Sequence, residues 1–270
     1  NGDPEGEITE IVRRADKQYV GRVELTRNHA FVRVDSRKMP YDIFVYTKGM
    51  ELSDGDKVVV KIKEWPADTK SPTGEILDVL GPAGDNDTEM HAILAEFNLP
   101  YKYPEEVEKA ADAIPEAIPA DEIARRRDFR GVTTFTIDPA DAKDFDDALS
   151  VRSVGENKWE VGVHIADVTY YVKEEGIIEA EGRERATSVY LVDRTIPMLP
   201  EKLSNYLCSL RPLEEKLCFS AVFEIDADLN ITGEWLGRTV IRSDRRFTYE
   251  EAQRIIETGE GDFSEEVLTL

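Results

Sequence analysis

Cysteine is almost absent from this chain. There are two in 270 residues, Cys208 and Cys218. They are separated by apolar sequence and lack the paired spacing of a zinc site. No disulfide framework can be built from them, and both are expected as reduced core residues of a cytoplasmic protein. Long apolar runs are missing too, and no secretory signal stands at the start. No membrane partner is expected, and the Asn-X-Thr patterns at Asn86 and Asn230 read as coincidences. Basic charge is in deficit, with 34 Lys and Arg against 56 Asp and Glu, a net charge of −22. That excludes a broadly basic surface of the kind that binds polyanions without selectivity. The deficit is uneven. Residues 1–83 carry 13 basic against 15 acidic residues, a balance of −2, so the other 187 residues carry −20. Screening confines surface fields to about 8 Å at physiological salt, so a local basic channel can coexist with an acidic exterior.

What the chain does have is a dense group of aspartates. Thr136-Ile-Asp-Pro-Ala-Asp-Ala-Lys-Asp-Phe-Asp-Asp-Ala148 holds carboxylates at 138, 141, 144, 146 and 147 and one basic residue, Lys143. A β-type run, Val132 to Ile137, leads in, and another, Ala148 to Val151, leads out. Carboxylates packed between apolar runs repel one another unless a cation neutralises them. Hard divalent cations take oxygen ligands, and Mg²⁺ is commonly held by a few carboxylates plus substrate phosphate. The ordinary alternative is a solvated acidic loop. An EF-hand is excluded, because a loop starting at Asp138 places Ala140 and Ala142 at its third and fifth positions and Lys143 where glycine belongs.

Composition is compatible with two domains. Residues 1–83 read as all-β, with strands expected at Glu7–Val12, Tyr19–Leu25, Ala30–Val34, Asp42–Tyr46, Lys57–Lys63 and Gly74–Leu80. Short strands at this spacing suggest a small OB-fold barrel. Tyr19, Phe31, Phe44 and Tyr46 are interleaved with Lys17, Arg22, Arg33 and Lys48. That pattern suits base stacking beside phosphate contacts, and equally suits aromatics filling a barrel. Residues 84–130 read as a helical linker. An amphipathic helix follows Asp87-Thr88, and further helices are expected at Glu105–Ala113 and Ala120–Arg127. Residues 131–270 read as mixed α and β, with strands near 132–137, 148–152, 158–165, 217–226 and 231–242, and helices near 178–187 and 249–258. The fold class is α+β. Asp226 to Asn230 imitates a calcium loop, but Ile231 stands where the glycine belongs, and a hairpin turn explains it better.

The aspartate segment resembles the signature of the ribonuclease II/ribonuclease R family, the RNB-domain exoribonucleases, and ribonuclease R is the nearest type. The resemblance extends through Gly162-Val-His-Ile-Ala-Asp-Val168, Ala186-Thr-Ser-Val-Tyr190, Ile196-Pro-Met-Leu-Pro200, Leu203-Ser-Asn205 and Leu207-Cys-Ser-Leu210, in the family's order, to about Tyr249. Residues 1–83 are similar to the cold-shock-type domain that precedes the catalytic domain in ribonuclease R. The resemblance implies a 3′-to-5′ exoribonuclease that hydrolyses single-stranded RNA to nucleoside 5′-monophosphates with two Mg²⁺ ions, for which Mn²⁺ can substitute. It implies that Asp138, Asp144, Asp146 and Asp147 are the catalytic and metal-binding aspartates, with Asp141 accessory. It also implies that Tyr190 stacks on a base near the 3′ end and that Tyr249 lies near the terminal nucleotide. Read without it, Tyr190 is an ordinary core tyrosine. Arg242, Arg245 and Arg246 are candidate phosphate contacts not counted as sites. His164 and Asp167 read as structural polar residues on a strand.

Besides RNA, the ribosome or RNA-degradation machinery are candidate partners, and a monomer is expected. The resemblance further implies that the family's catalytic domain continues past residue 270 and that the chain begins inside its N-terminal OB-fold region. The 270 residues alone are then expected to bind metal weakly and hydrolyse RNA poorly. Two alternatives stand beside this reading. One is a non-catalytic RNA-binding or regulatory protein on the same scaffold, whose mark would be substituted aspartates. The other is an unrelated metal-dependent phosphohydrolase acting on small phosphoesters.

Overall fold

A computed structural model describes residues 18–27, 29–66 and 69–269, together with Gly6 and Thr9. The strand expected at Glu7–Val12 falls outside the described residues, Thr9 aside, as does Lys17. The chain divides into two compact units, residues 1–102 and 103–270.

The first unit is a closed five-stranded barrel in the order β1-β2-β3-β5-β4, with β1 Gln18–Leu25, β2 His29–Val34, β3 Ile43–Tyr46, β4 Asp56–Glu64 and β5 Thr73–Pro82. β1 pairs antiparallel with both β2 and β4, which closes the ring, while β3 and β5 run parallel. Alternation explains the interior. Val23, Ala30, Val32, Ile43, Val45, Val58, Val60 and Ile76 point inward and are buried with Met39. Full burial of each Val or Ile contributes about 1.5–3 kcal/mol. Two glycines allow the tight closure. A Cβ on Gly21 would lie 2.5 Å from the Arg33 carbonyl oxygen, and one on Gly74 would lie 2.5 Å from Ile43.

Helix α1, Asn86–Glu96, belongs to this unit. Asp85 caps it, accepting from the Asp87 amide at 3.0 Å, and Ala92 and Ala95 pack on Val20 and Val59 of the barrel. Lys57 is buried beneath it, 2.5 Å from Asp35 and 3.2 Å from Glu89. Burial would lower the Lys57 ammonium, yet the two carboxylates hold it above its ordinary value.

The second unit is built on a seven-stranded sheet. Its strands are β6 Arg127–Asp128, β7 Thr134–Asp138, β8 Asp147–Gly155, β9 Lys158–Ala166, β12 Glu215–Asp226, β13 Ile231–Arg242 and β14 Arg245–Thr248. They lie in the order β14-β7-β8-β9-β12-β13-β6. The five central strands pair antiparallel, while β14 and β6 add parallel edges. A separate two-stranded hairpin joins β10, Val189–Tyr190, to β11, Thr195–Ile196. The helices are α2 Glu105–Asp112, α3 Ala120–Ala124, α4 Val168–Tyr171, α5 Ile177–Arg185, α6 Tyr249–Thr258 and α7 Ser264–Thr269. Residues 84–130 thus contribute α1 to the first unit and α2 and α3 to the second. The turn at Asp226 is the expected hairpin, closed by the Asp226 amide on the Asn230 carbonyl at 3.1 Å.

The main core gathers Val107 and Ala111 of α2, Ile178 of α5, and Leu203, Leu207 and Cys208 against Ala148, Cys218, Val222 and Ile241 of the sheet. On the other face, Ala252 and Ile255 of α6 and Val267 of α7 pack on Phe135 and Phe247. Lys202–Leu207 forms one wide turn, in which the Cys208 amide reaches the Leu203 carbonyl five residues back at 2.8 Å. Both cysteines are free and buried, and burial pushes the Cys208 thiol up to about 12 and Cys218 higher still.

Two buried polar networks fix the centre of the sheet. His164 is fully buried, with Nδ1 2.7 Å from Ser220 Oγ and Nε2 2.8 Å from Ser150 Oγ, and Ser220 Oγ continues to Thr239 Oγ1 at 2.6 Å. Burial, with a smaller push from Arg127, lowers the imidazole to about 4, so it is neutral at physiological pH. Beside it, Arg126 donates to Asp167 Oδ2 and Glu122 Oε1, each at 2.8 Å, and to the carbonyls of Cys218 and Thr239. Burial would raise the Asp167 carboxyl, but the Thr169 hydroxyl and the Arg126 guanidinium hold it below the usual range. The same arginine explains why α3 stops at Ala124 and not at the expected Arg127. Arg126 must turn inward, and the chain then enters β6.

Candidate carboxylate site and aromatic surfaces

The aspartate segment leaves the sheet at the end of β7 and re-enters it at the start of β8. Asp138 is therefore the last residue of one strand and Asp147 the first of the next, with Asp144 and Asp146 in the connecting loop. The loop is anchored from the turn that follows Lys202–Leu207. Ser209 Oγ accepts from the Phe145 amide at 3.1 Å and donates to the Lys143 carbonyl at 3.0 Å, and the Leu210 amide donates to the Phe145 carbonyl at 2.7 Å. The buried Phe145 ring packs in the core between two more accessible neighbours, Asp144 and Asp146. The Asp146 carbonyl accepts from the Ala166 amide at 3.0 Å, which ties the loop to β9.

Asp138 is 8 % exposed, and its Oδ2 is a buried acceptor without a partner. Burial raises its carboxyl above the ordinary value, and Asp147 and Asp144 add to the rise. The Thr136 hydroxyl and Arg246 moderate it, although Thr136 Oγ1 lies outside full hydrogen-bond geometry and is itself unpartnered. Asp146 is raised by desolvation and then by Asp144, Asp147 and Asp138. Asp146 is exposed as a residue, so its carboxylate is crowded by neighbouring atoms but not sealed from water. The four carboxylates thus share one electrostatic neighbourhood. Among the described residues no three of them are already drawn into a closed coordination cluster. Asp141 is exposed in the turn.

An unpartnered buried carboxylate oxygen among repelling carboxylates costs free energy unless a cation joins it. An all-oxygen donor set of this charge fits Mg²⁺ or Mn²⁺, and does not suit a soft metal.

Tyr190 is 70 % exposed on β10, so it is not a core tyrosine. Desolvation raises its phenol, and the charges of Asp144 and Asp146 add to the rise, which places the hydroxyl near these carboxylates. Tyr249 is 57 % exposed at the start of α6, directly after Thr248, which pairs with Asp138 across the parallel β14–β7 edge. The register therefore brings Tyr249 to the same end of the sheet as Asp138. Of the three arginines considered from sequence, Arg245 pairs with Asp262 and Glu251 and Arg242 is exposed. Arg246 instead turns to the aspartate loop, a role that local sequence did not signal.

In the barrel, the aromatic residues separate by position. Tyr19 packs on the barrel core. Phe44 and Tyr46 of β3 and Phe31 of β2 face outward with His29, a residue the sequence pattern had not singled out. Ring centroids are 5.8 Å apart for His29–Phe31, 5.2 Å for His29–Phe44, 5.6 Å for Phe31–Phe44 and 5.0 Å for Phe44–Tyr46. Arg22 and Arg33 are exposed cross-strand neighbours beside this stripe.

A metal-suited carboxylate loop on an α+β sheet domain, together with an OB-type barrel, defines a class. Residues 126–268 match the RNB domain and residues 31–104 match a cold shock domain. The chain belongs to the RNB-domain family. It is 39 % identical over 256 residues to ribonuclease R of Aquifex aeolicus, covering 94 % of this chain and 36 % of that protein. Its fold superposes on Mycoplasma genitalium RNase R in complex with double-stranded RNA with a TM-score of 0.82 at 25 % identity, covering 97 % of this chain and 46 % of the other. The fold is also that of yeast Ssd1, a pseudonuclease, with a TM-score of 0.67 at 24 % identity, covering 96 % of this chain and 33 % of that one. The chain spans about a third of the length of the curated relatives it matches.

Proposed function

We propose that this chain carries the carboxylate site of a 3′-to-5′ exoribonuclease that hydrolyses single-stranded RNA to nucleoside 5′-monophosphates. The observation that carries the reading is the unpartnered, buried Oδ2 of Asp138 within the shared charge field of Asp144, Asp146 and Asp147. Membership of the RNB-domain family and likeness to ribonuclease R support the reaction class. Asp138, Asp144, Asp146 and Asp147 would hold two Mg²⁺ ions, which when bound supply Lewis-acid charge and an activated water for in-line displacement at a phosphodiester.

The chain's own residues then have distinct tasks. Asp146, the more accessible of the two raised carboxyls, orients the attacking water. Tyr190 offers an exposed ring on which any base can stack, and Tyr249 borders the terminal nucleotide. The His29–Phe31–Phe44–Tyr46 stripe gives successive bases a stacking surface in the barrel. Contacts to the ribose 2′-hydroxyl would distinguish RNA from DNA. A ribosome or degradation assembly as partner, a cytoplasmic location and a monomeric state belong to the same proposal.

The fold does not decide between catalysis and binding, because a pseudonuclease shares it. All four aspartates are present, and their presence favours catalysis. In the full-length protein, Asp146→Asn is expected to abolish hydrolysis of labelled single-stranded RNA while leaving RNA affinity within about threefold of the parent on a gel-shift titration. Equal loss of binding and hydrolysis would overturn the assignment. Turnover of a small chromogenic phosphoester at a comparable rate would favour a general phosphohydrolase.

A further inference from the structure

Arg246 lies opposite Thr136 in the parallel β14–β7 pair. Strand alternation puts its side chain on the same face as Thr136, Asp138 and Thr248. Its guanidinium donates to the Pro139 carbonyl, at the opening of the aspartate loop. That carbonyl also accepts from the Ala142 amide at 3.1 Å. The guanidinium carbon lies 5.2 Å from the centroid of the Phe145 ring, at the closing end of the loop. Its charge reaches Asp138, whose Oδ2 it leaves without a hydrogen bond. Ser209 and Leu210 hold the loop through backbone bonds at residues 143 and 145, so Arg246 adds a second, independent grip.

We propose that Arg246 is the positioning residue of the carboxylate site, pinning Pro139 and Phe145 so that Asp138 is held in register with Asp144 and Asp146. The proposal rests on the reading of this loop as a metal site. Arginine suits the task because one planar guanidinium can donate to a carbonyl through its edge and stack on an aromatic ring through its face, while its charge eases repulsion among the carboxylates. Lysine keeps the charge but cannot do both. In this role Arg246 acts through the loop, by way of Pro139 and Phe145. Its position is like that of outer-shell groups elsewhere, whose loss costs about 10–100-fold in metal affinity.

The test compares the parent with Arg246→Met and Arg246→Lys by amide hydrogen exchange, Mn²⁺ titration and thermal unfolding. In Arg246→Met, peptides covering 139–147 are expected to exchange faster while β9 and β12 stay protected. Mn²⁺ affinity is expected to fall by about 10–100-fold with little change in Tm. Arg246→Lys is expected to recover part of the affinity without restoring loop protection. Parent-like loop exchange and Mn²⁺ affinity in Arg246→Met would overturn the proposal. So would an equal acceleration of exchange throughout the second unit, which would make Arg246 a general fold residue. If the parent itself binds no Mn²⁺, the metal reading fails, and loop exchange still decides whether Arg246 pins the loop.

Discussion

Replacing Asp138 by asparagine should make the protein more stable when divalent metal is withheld. The substitution keeps the shape of a buried side chain and removes a charge that is desolvated and faces Asp144 and Asp147. Because the folded-state pKa of Asp138 lies above its unfolded value, the folded protein takes up this proton more readily than the unfolded chain. The ionised group therefore destabilises the fold at neutral pH, and the penalty is relieved as pH falls through the raised value. No hydrogen bond at Oδ2 is lost, and the new amide can donate to the unpartnered Thr136 hydroxyl. Removing an unsatisfied buried polar charge is worth about 1–3 kcal/mol. At about 2–4 °C per kcal/mol for a unit of this size, Tm in EDTA should rise by several degrees. The parent should respond oppositely to metal. At a hundredfold excess over Kd, Mg²⁺ would stabilise it by about 2.7 kcal/mol, and Asp138→Asn should lose most of that gain. Thermal melts of both proteins in EDTA and in Mg²⁺ settle it. A variant less stable than the parent in EDTA, or one with an undiminished response to Mg²⁺, would refute the reasoning.

Other outcomes follow from the same physics. The folded-state pKa of His164 lies below its unfolded value, so its contribution is present above about pH 6.5 and is lost as pH falls towards 4, at a cost of about 3 kcal/mol; urea titrations at pH 7 and pH 4.5 should show it, and His164→Gln should flatten the difference. Asp167→Ala should destabilise the second unit by removing one of the two carboxylates that hold the buried Arg126, and because Glu122 stays as the other, the loss should fall near the lower end of the about 3–5 kcal/mol that breaking a buried pair costs, read by chemical denaturation. Cys208 and Cys218 should resist a thiol reagent in native buffer and react fully after unfolding, since both are buried and hard to ionise. Phe44→Ala should weaken single-stranded RNA binding by about 1–3 kcal/mol without changing how an already bound 3′ end is cleaved, measured by fluorescence anisotropy alongside single-turnover hydrolysis.

The parts of this fold that could be read in the sequence are those written in local pattern. The five described barrel strands follow alternation and turn residues, while α1 begins earlier than its pattern suggests, because Asp85 caps it and Asp87-Thr88 lie within its first turn. The aspartate loop stands out because carboxylates interrupt an apolar run. What escaped depends on contacts between distant residues. β14 is four residues long and half charged, and it becomes a strand only by pairing with β7 about 110 residues earlier. Arg246 and Ser209 look like ordinary surface residues until the sheet edge and the wide turn at 202–207 bring them to the loop. α3 is shorter than its pattern because Arg126 is claimed by Asp167, 41 residues away at the junction of β9 and α4. Tyr190 sits in a run that reads as core, and only the two-stranded hairpin shows that it faces outward beside Asp144.

The central claim is that the carboxylate loop serves metal-dependent hydrolysis of RNA from the 3′ end. It is tested most directly by incubating the full-length protein with 5′-labelled single-stranded RNA in Mg²⁺ or in EDTA. Progressive shortening to a small limit product is expected in Mg²⁺ alone, with release of nucleoside 5′-monophosphates. Intact RNA under both conditions, with a retained complex on a gel, would contradict it and leave a binding protein whose four aspartates have another purpose.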